Sequence, residues 1–513
     1  MRSLLARVLL LIALAVALPT GRTFSLMGAF DTWQTVELGY QLGSDLAGPM
    51  NLGEEYRLNL PMLTYGFDES FLNYFGTKGV EEIEKALQTF NDLPEFSKMS
   101  AGLSEYPLDT RRINHRASAL YLYDLRSYVT AVMLEFLGLA PPERYVWTLR
   151  SRVVIGDIPF YSVIKRNFDP VTWEPSSYVN GTLYTYLILQ TYTDPVYEAV
   201  EFEVDPSQPS VSSVAGFNIN AGTVAASGYF ASISPGLFYT GLTRDDVAGL
   251  RYMYRPDNYN IESIATNAVL APVAASSGNY IIGPGGSGGG SGGGWGDPGG
   301  GTNVIGATNL AVNVALRPGV DKITFVRANY DSLLGNWTVI TNRFVDRYIT
   351  NFALRSQQLE RTLAQPDILF TAADLGPTPD GDQFLFLRTI PWVNLDPLNG
   401  TTTLGGPGLV DVPLVMTFSK VGQYLLNIGD GGEVDGLPNI WWGTYDGTPT
   451  EPIVYPQGAS IQTLERLILE GAIRDSTQNP WLVPPILTTT TTGTTTGTGT
   501  GGAGASFDGS TSP

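Results

Sequence analysis

His115 is the only histidine in the chain, and there is no cysteine. A zinc hydrolase needs two or three imidazole or thiolate ligands. A thiol nucleophile needs a cysteine, and a Ser-His-Asp triad would have to run through His115. That residue sits in Arg111-Arg112-Ile113-Asn114-His115-Arg116. Cationic neighbours there disfavour imidazolium without supplying a triad partner, so His115 reads as a surface or loop residue. Neither a metal site nor a cofactor site is expected. Asp380-Gly381-Asp382 and Asp430-Gly431-Gly432-Glu433-Val434-Asp435-Gly436 offer oxygen ligands of the kind calcium prefers. Neither fits the twelve-residue calcium loop, and both read as turns. Carboxylate chemistry, binding or a structural role remain. A glycosidase pair cannot be picked from spacing, because its separation is spatial rather than sequential.

The elements that would position such groups belong to an acidic, weakly charged, aromatic-rich chain: net charge -19, 15% charged and 11% aromatic over 513 residues. Abundant Thr, Gly and Pro favour β structure with many turns. Arg2 and Arg7, the apolar run Val8 to Leu18 and the small residues Ala15-Val16-Ala17 form a secretion signal over 1–17. Its removal would take the net charge to -21, the two lost arginines being its only charges. The expected product is secreted, extracellular or on the cell surface, without membrane insertion after cleavage. A surface this acidic repels nucleic acid and anionic membranes.

Length suggests two or three domains. Residues 24–54 form an N-terminal extended segment, and 55–260 mix helix and strand. Residues 283–301 hold 13 Gly among 19 residues and read as a linker or exposed loop. Residues 305–485 look β-rich, and 486–513 form a Thr/Gly-rich tail expected to be disordered. Val80, Ile83, Leu87 and Phe90 recur at helical spacing until Asn91-Asp92-Leu93-Pro94. A second helix is predicted from about Tyr121 to Leu137, capped by Gly138. Alternation around Ile323–Arg327, Trp337–Thr341, Phe344–Ile349, Phe384–Arg388 and Leu414–Phe418 predicts strands of a sandwich.

The first half resembles the matrixin branch of the metzincin proteases. The most specific stretch is Leu242-Thr243-Arg244-Asp245-Asp246-Val247-Ala248-Gly249-Leu250-Arg251-Tyr252-Met253-Tyr254, similar to the helix that closes matrixin catalytic domains. With the family's H-E-x-x-H-x-x-G-x-x-H motif registered on Gly138, its ligand, base, ligand and ligand positions hold Ala131, Val132, Glu135 and Pro141. The methionine of the family's turn falls near Ile233. One Glu cannot hold zinc or activate its water, so the resemblance implies an inactive module. The order of GPMNLGEEYRLNLP, TYGFDESFLNYFGTKGVEEIEKA, LRPGVDKITF, DSLLGNWTVITN and WWGTYDGTPTEPIVYP, over most of 24–480, is similar to secreted proteins of environmental bacteria. These resemble subunits of helical extracellular, pilus-like fibrils joined by donor-strand exchange. The implied fold class is α+β: an inactive metzincin-like α/β domain, then an immunoglobulin-like β-sandwich domain. The implied partners are copies of the chain itself.

The residues allow that mechanism independently. Phe24, Leu26, Gly28 and Phe30 alternate onto one face of a candidate donor strand that follows the signal directly. Such a strand can enter an open sheet edge of another subunit, or pair within its own chain. Gly28 is expected where the receiving groove admits no side chain. Asn180, Asn336 and Asn399 match the N-x-[ST] pattern, and ten Thr among Thr488–Thr500, beginning Thr488, Thr489, Thr490, could carry O-linked sugars. Residues alone favour pairing within the chain; with the fibril resemblance added, the reading leans to a filament subunit. A secreted carboxylate-dependent hydrolase or a surface glycan-binding adhesin, suggested by nine Trp and 26 Tyr, is the alternative.

Overall fold

The computed structural model describes residues 23–35, 38, 40, 47–193, 196–204, 235–271, 311–372, 390–394, 407–418 and 441–466. They form a mixed α/β protein with many strands and few helices. The elements used below are β1 (Phe24–Gly28), β2 (Gly48–Met50), β3 (Met62–Phe67), α1 (Glu69–Asn91), β4 (Leu122–Asp124), α2 (Leu125–Phe136), β5 (Leu139–Ala140) and β6 (Asn167–Phe168). They continue with α3 (Arg244–Tyr254), β7 (Tyr259–Ser263), β8 (Val314–Pro318), β9 (Thr324–Arg327), β10 (Ile340–Thr350), β11 (Ala353–Leu363), β12 (Ile368–Thr371) and β13 (Leu414–Thr417).

The central sheet has the order β9-β3-β12-β13, and all three pairings are parallel. Parallel strands need covered faces, and these are rich in buried apolar residues: Leu63, Phe325, Ile368, Phe370, Leu414 and Met416 are all buried. α1 follows β3 and packs on the sheet. Phe67 stacks on Phe370 at 5.3 Å, Phe71 lies 4.9 Å from Phe67, and Phe90 meets Phe325 edge-on at 5.8 Å. The predicted stripe Val80, Ile83, Leu87, Phe90 is the buried face of α1. The helix begins earlier than its stripe, at the Asp68 cap, and kinks at Gly76, whose φ is +61°. Without a long apolar repeat ahead of the kink, periodicity alone could not find that first segment.

α2 is buried on nearly every side and packs on α1. Gly138, at φ +105°, ends it as expected, with no room for a Cβ against the Tyr56 carbonyl oxygen. Its start differs from expectation. Residues 122–124 are a strand, and Asp124 caps the helix by accepting from the Ser127 amide at 2.8 Å and the Ser127 hydroxyl at 2.5 Å. Burial raises the Asp124 carboxyl to about 6, opposed by Arg126 and the Ser127 bonds. An acid whose folded pKa exceeds its unfolded value holds its proton more tightly when folded. Stability therefore falls as pH rises from about 4 through about 6. The full shift is worth at most about 3 kcal/mol. Asp124→Asn keeps the capping acceptor and should flatten urea midpoints measured between pH 4.5 and pH 7. An unchanged slope would place the titration elsewhere.

The division expected at 283–301 is corrected by the sheets. β3 precedes that stretch, while β9, β12 and β13 follow it, and all four share one sheet and one apolar cluster running from Phe24 to Tyr455. A second, antiparallel sheet mixes the halves again, in the order β7-β8-β10-β11 and then residues 268–270. Of the strands expected to build a separate sandwich over 305–485, β9 is instead a neighbour of β3, and β13 joins the same sheet through β12. The physical reason is that alternation reports an extended segment but not its partner. Residues 283–301, 384–388 and 486–513 lie outside the described residues.

Buried ion pairs weld the halves together. Arg361, fully buried, pairs with Asp367 and donates to the Met62 carbonyl at 3.2 Å and to Asn267 at 2.9 Å. Asp367 in turn accepts from the Thr64 amide at 2.9 Å. Arg57 donates to Glu262 at 2.5 Å and to the Arg317 carbonyl at 3.0 Å, and Arg317 forks onto Asp346 at 2.9 and 3.1 Å. Arg361→Ala leaves the Asp367 charge buried and should cost about 3–5 kcal/mol in urea unfolding. A loss below about 1 kcal/mol would mean that water reaches Asp367 and screens it.

Candidate assembly site

β1 is not a free arm in the single chain. It pairs antiparallel with β2 through Leu26↔Met50, Met27↔Pro49 and Gly28↔Gly48. It also pairs with β6 through Phe24↔Phe168 and Ser25↔Asn167, and with β5 through Ser25↔Ala140 and Leu26↔Leu139. The Met27 amide donates to the Gly138 carbonyl at 2.9 Å. The expected one-sided strand is two-sided: every residue from Phe24 to Gly28 is buried, and Phe30 is half-buried against the core. Within the single chain, β1 itself fills this slot. Alternation of Phe24 and Leu26 exposed one face to inspection. The opposite face, Ser25 and Met27, is buried as well, with the Ser25 hydroxyl bonded to Asn167 of β6.

The fit is specific to these side chains. Phe24 stacks on Tyr252 at 5.2 Å and meets Trp173 edge-on at 6.3 Å. A Cβ on Gly28 would stand 2.6 Å from Met50 Cγ and 2.9 Å from Tyr56 Cδ2, so only glycine allows this approach. The Ser25 hydroxyl bonds Asn167 and the Arg166 carbonyl. At the strand's start, buried Asp245 accepts the Asn180 amide at 2.6 Å together with the Thr23 amide. Burial pushes the Asp245 carboxyl well above its ordinary range, against the lowering by these two amides, and its other oxygen has no hydrogen-bond partner. Asp245 thus ties the residue just before β1 to the loop holding Asn180. Residue type alone gave no sign of this role, since Asp245 reads as a helix-start residue beside the Thr243–Asp246 capping box.

Asn180 itself is corrected as a sugar acceptor. Its side chain is buried, donating to the Thr243 hydroxyl at 3.1 Å and accepting from the Asp245 amide at 3.3 Å. A glycan there would break both bonds. Asn336 is exposed on a short hairpin strand and is sterically open. Asn399, Thr488, Thr489, Thr490, Ile233 and the two acidic turns at 380–382 and 430–436 lie outside the described residues.

The residues at the protease-motif positions do not gather a metal set. Ala131, Val132, Glu135 and Pro141 are buried in and after α2. His115 is exposed at the first turn of the short helix His115–Ala119. Among the described residues no three His, Cys, Asp or Glu side chains lie close enough to hold a metal ion. The carboxylates that do converge, Glu262, Asp346 and Asp411, line a cavity of about 30 Å³. That is room for a water or two rather than a sugar ring, and Glu262 and Asp346 are already committed to Arg57 and Arg317. Among the described residues no helix is long and apolar enough to cross a membrane. No protein-family model, no curated protein and no solved structure matches the chain.

Proposed function

We propose that the protein is a structural subunit of an extracellular, pilus-like filament, in which copies join by exchanging β1. The observation that carries this reading is the placement of β1. It is a five-residue strand close to the chain's N-terminus, central in its sheet, held by side-chain-specific contacts to elements far along the chain. Every such contact can be made equally by β1 of another copy, since exchange of an identical element changes the connection and not the interface. In this reading the matrixin-like arrangement of α1, α2 and α3 is a scaffold for the slot. Its motif positions are apolar or committed to packing.

Electron microscopy of the purified mature chain, refolded at high and at low concentration, tests the reading. Long particles should form at high concentration and be absent from a variant lacking residues 24–30. A chain that remains monomeric at every concentration would overturn it. So would filaments that form without residues 24–30.

A further inference from the structure

We propose that the hairpin of strands Thr148–Ile155 and Ile158–Ile164 is a membrane-contact element, its tip resting in the interface of a bilayer that carries anionic headgroups. This contact is independent of β1 exchange. The two strands form a sheet of their own, paired through Val153↔Phe160, Val154↔Pro159 and Ile155↔Ile158, and turn at Gly156-Asp157. Gly156, at φ +64°, takes the left-handed position that a two-residue turn asks for. Thr148 and Leu149 at the base are buried, and exposure rises toward the turn. Ile155, Ile158 and Phe160 are 66%, 63% and 53% exposed. Val153 and Val154 point to opposite faces of the ribbon, yet they are 52% and 46% exposed. A protein partner that packs on a sheet covers one face of it. An apolar tip bare on both faces suits a medium that surrounds it, and the interface of a bilayer is such a medium.

Residues 148–166 carry Arg150, Arg152, Lys165 and Arg166 against Asp157, a formal +3 that leaves -22 on the rest of the chain. Arg166 shares the field of Glu54 and Asp31, so the collar behind the tip is Arg150, Arg152 and Lys165. The Arg150 guanidinium lies 4.3 Å from the centre of the Trp33 ring, and the Lys165 ammonium lies 4.7 Å from that of Trp147. Both rings are half-buried. From the turn inward the order is three apolar pairs, then Arg152↔Tyr161, then cations beside tryptophans. A bilayer surface presents the matching order: acyl chains, a belt where Trp and Tyr settle, and anionic headgroups that attract Lys and Arg. Three pairs at about 3.4 Å per residue make a tip about 7–10 Å deep. Interfacial elements sink to roughly that depth, about 5–10 Å. Charge alone fits an acidic copy of the chain equally well; the two-sided apolar tip and its tryptophan collar fit lipid. The acidic body opposes approach to an anionic surface, but at physiological salt its charge is screened beyond about 8 Å. Asp157 in the turn is the one charge of the tip that anionic lipid disfavours, and it limits the affinity.

Flotation of the full chain with phosphatidylcholine vesicles, with and without phosphatidylglycerol, tests this at physiological salt. The chain is kept too dilute to self-associate, so the readout does not depend on whether β1 is exchanged. It should float with the mixed vesicles and bind phosphatidylcholine alone about tenfold more weakly or worse. Ile155→Ser together with Ile158→Ser should weaken binding roughly a hundredfold. Tm should not move, because both side chains face solvent. Arg150→Gln together with Lys165→Gln should cost about thirtyfold on mixed vesicles and nothing on neutral ones. Asp157→Asn should tighten binding about fivefold. The chain has no cysteine, so Ile158→Cys accepts a single environment-sensitive fluorophore. Its emission should shift to the blue on mixed vesicles and be quenched by nitroxides on the acyl chains. A chain that floats with neither vesicle would overturn the membrane contact. So would binding that the isoleucine variant leaves unchanged, or a fluorophore that acyl-chain nitroxides do not quench. Self-association at high concentration that the isoleucine variant loses, while its vesicle binding persists, would make the hairpin a contact between copies and overturn the lipid reading.

Discussion

Producing residues 18–282 and 302–485 as separate chains should leave neither of them folded. The first would carry β3 without any of its sheet neighbours, and the second would carry β9, β12 and β13 without the strand between β9 and β12. Leu63 and Phe67 would lose Phe325 and Phe370, and Asp367 would lose the Thr64 amide. The whole net stability of a domain is about 5–15 kcal/mol, and this cut removes the core that supplies it. Circular dichroism and urea titration of each half should show no cooperative transition. Mixing the halves should restore one, because the shared sheet reassembles between chains. Nicking the folded chain within 283–301 is a different experiment. The two pieces should co-elute on gel filtration and separate only in denaturant. Two halves that each fold alone with cooperative transitions would overturn the shared core.

Leu26→Asp should be the most damaging single substitution in β1. Leu26 is fully buried between Met50 and Leu139. Truncating such a leucine to alanine costs about 2–5 kcal/mol. A carboxylate there adds the cost of a buried, unpaired charge. The expected result is loss of cooperative unfolding at neutral pH, with partial recovery near pH 4 as the new carboxyl protonates. Deleting residues 24–30 should act similarly, and a peptide of residues 24–40 added in trans should restore structure. Its binding to the folded slot alone would stabilise by mass action, with Tm rising with peptide concentration. A deletion variant that keeps the wild-type Tm would show that the slot does not depend on β1.

The same two experiments mark what can be read from residues alone. The Gly138 stop and the α1 stripe were legible because each is written within a few residues of itself. A helix stop needs one glycine after the last turn, and an amphipathic face needs only a period. The alternation of Phe24 and Leu26, and the need for a glycine at 28, were legible for the same reason. The exclusion of histidine- and cysteine-based chemistry came from counting.

What the tertiary structure decided is every pairing across distance. β3 and β9 are neighbours although some 260 residues separate them, and nothing in MLTYGF names TFVR as its partner. Parallel strands carry no shared turn from which register could be inferred, so only the packed sheet selects it. Arg361 and Asp367 carry no local pattern that singles them out, and only the fold closes Thr64 and Met62 around them. Asn180 matches the sugar-acceptor pattern, and only the fold shows Asp245 and Thr243 claiming its amide. In each case the residue's local pattern fits several environments, and the environment is chosen by burial, which is a property of the whole chain.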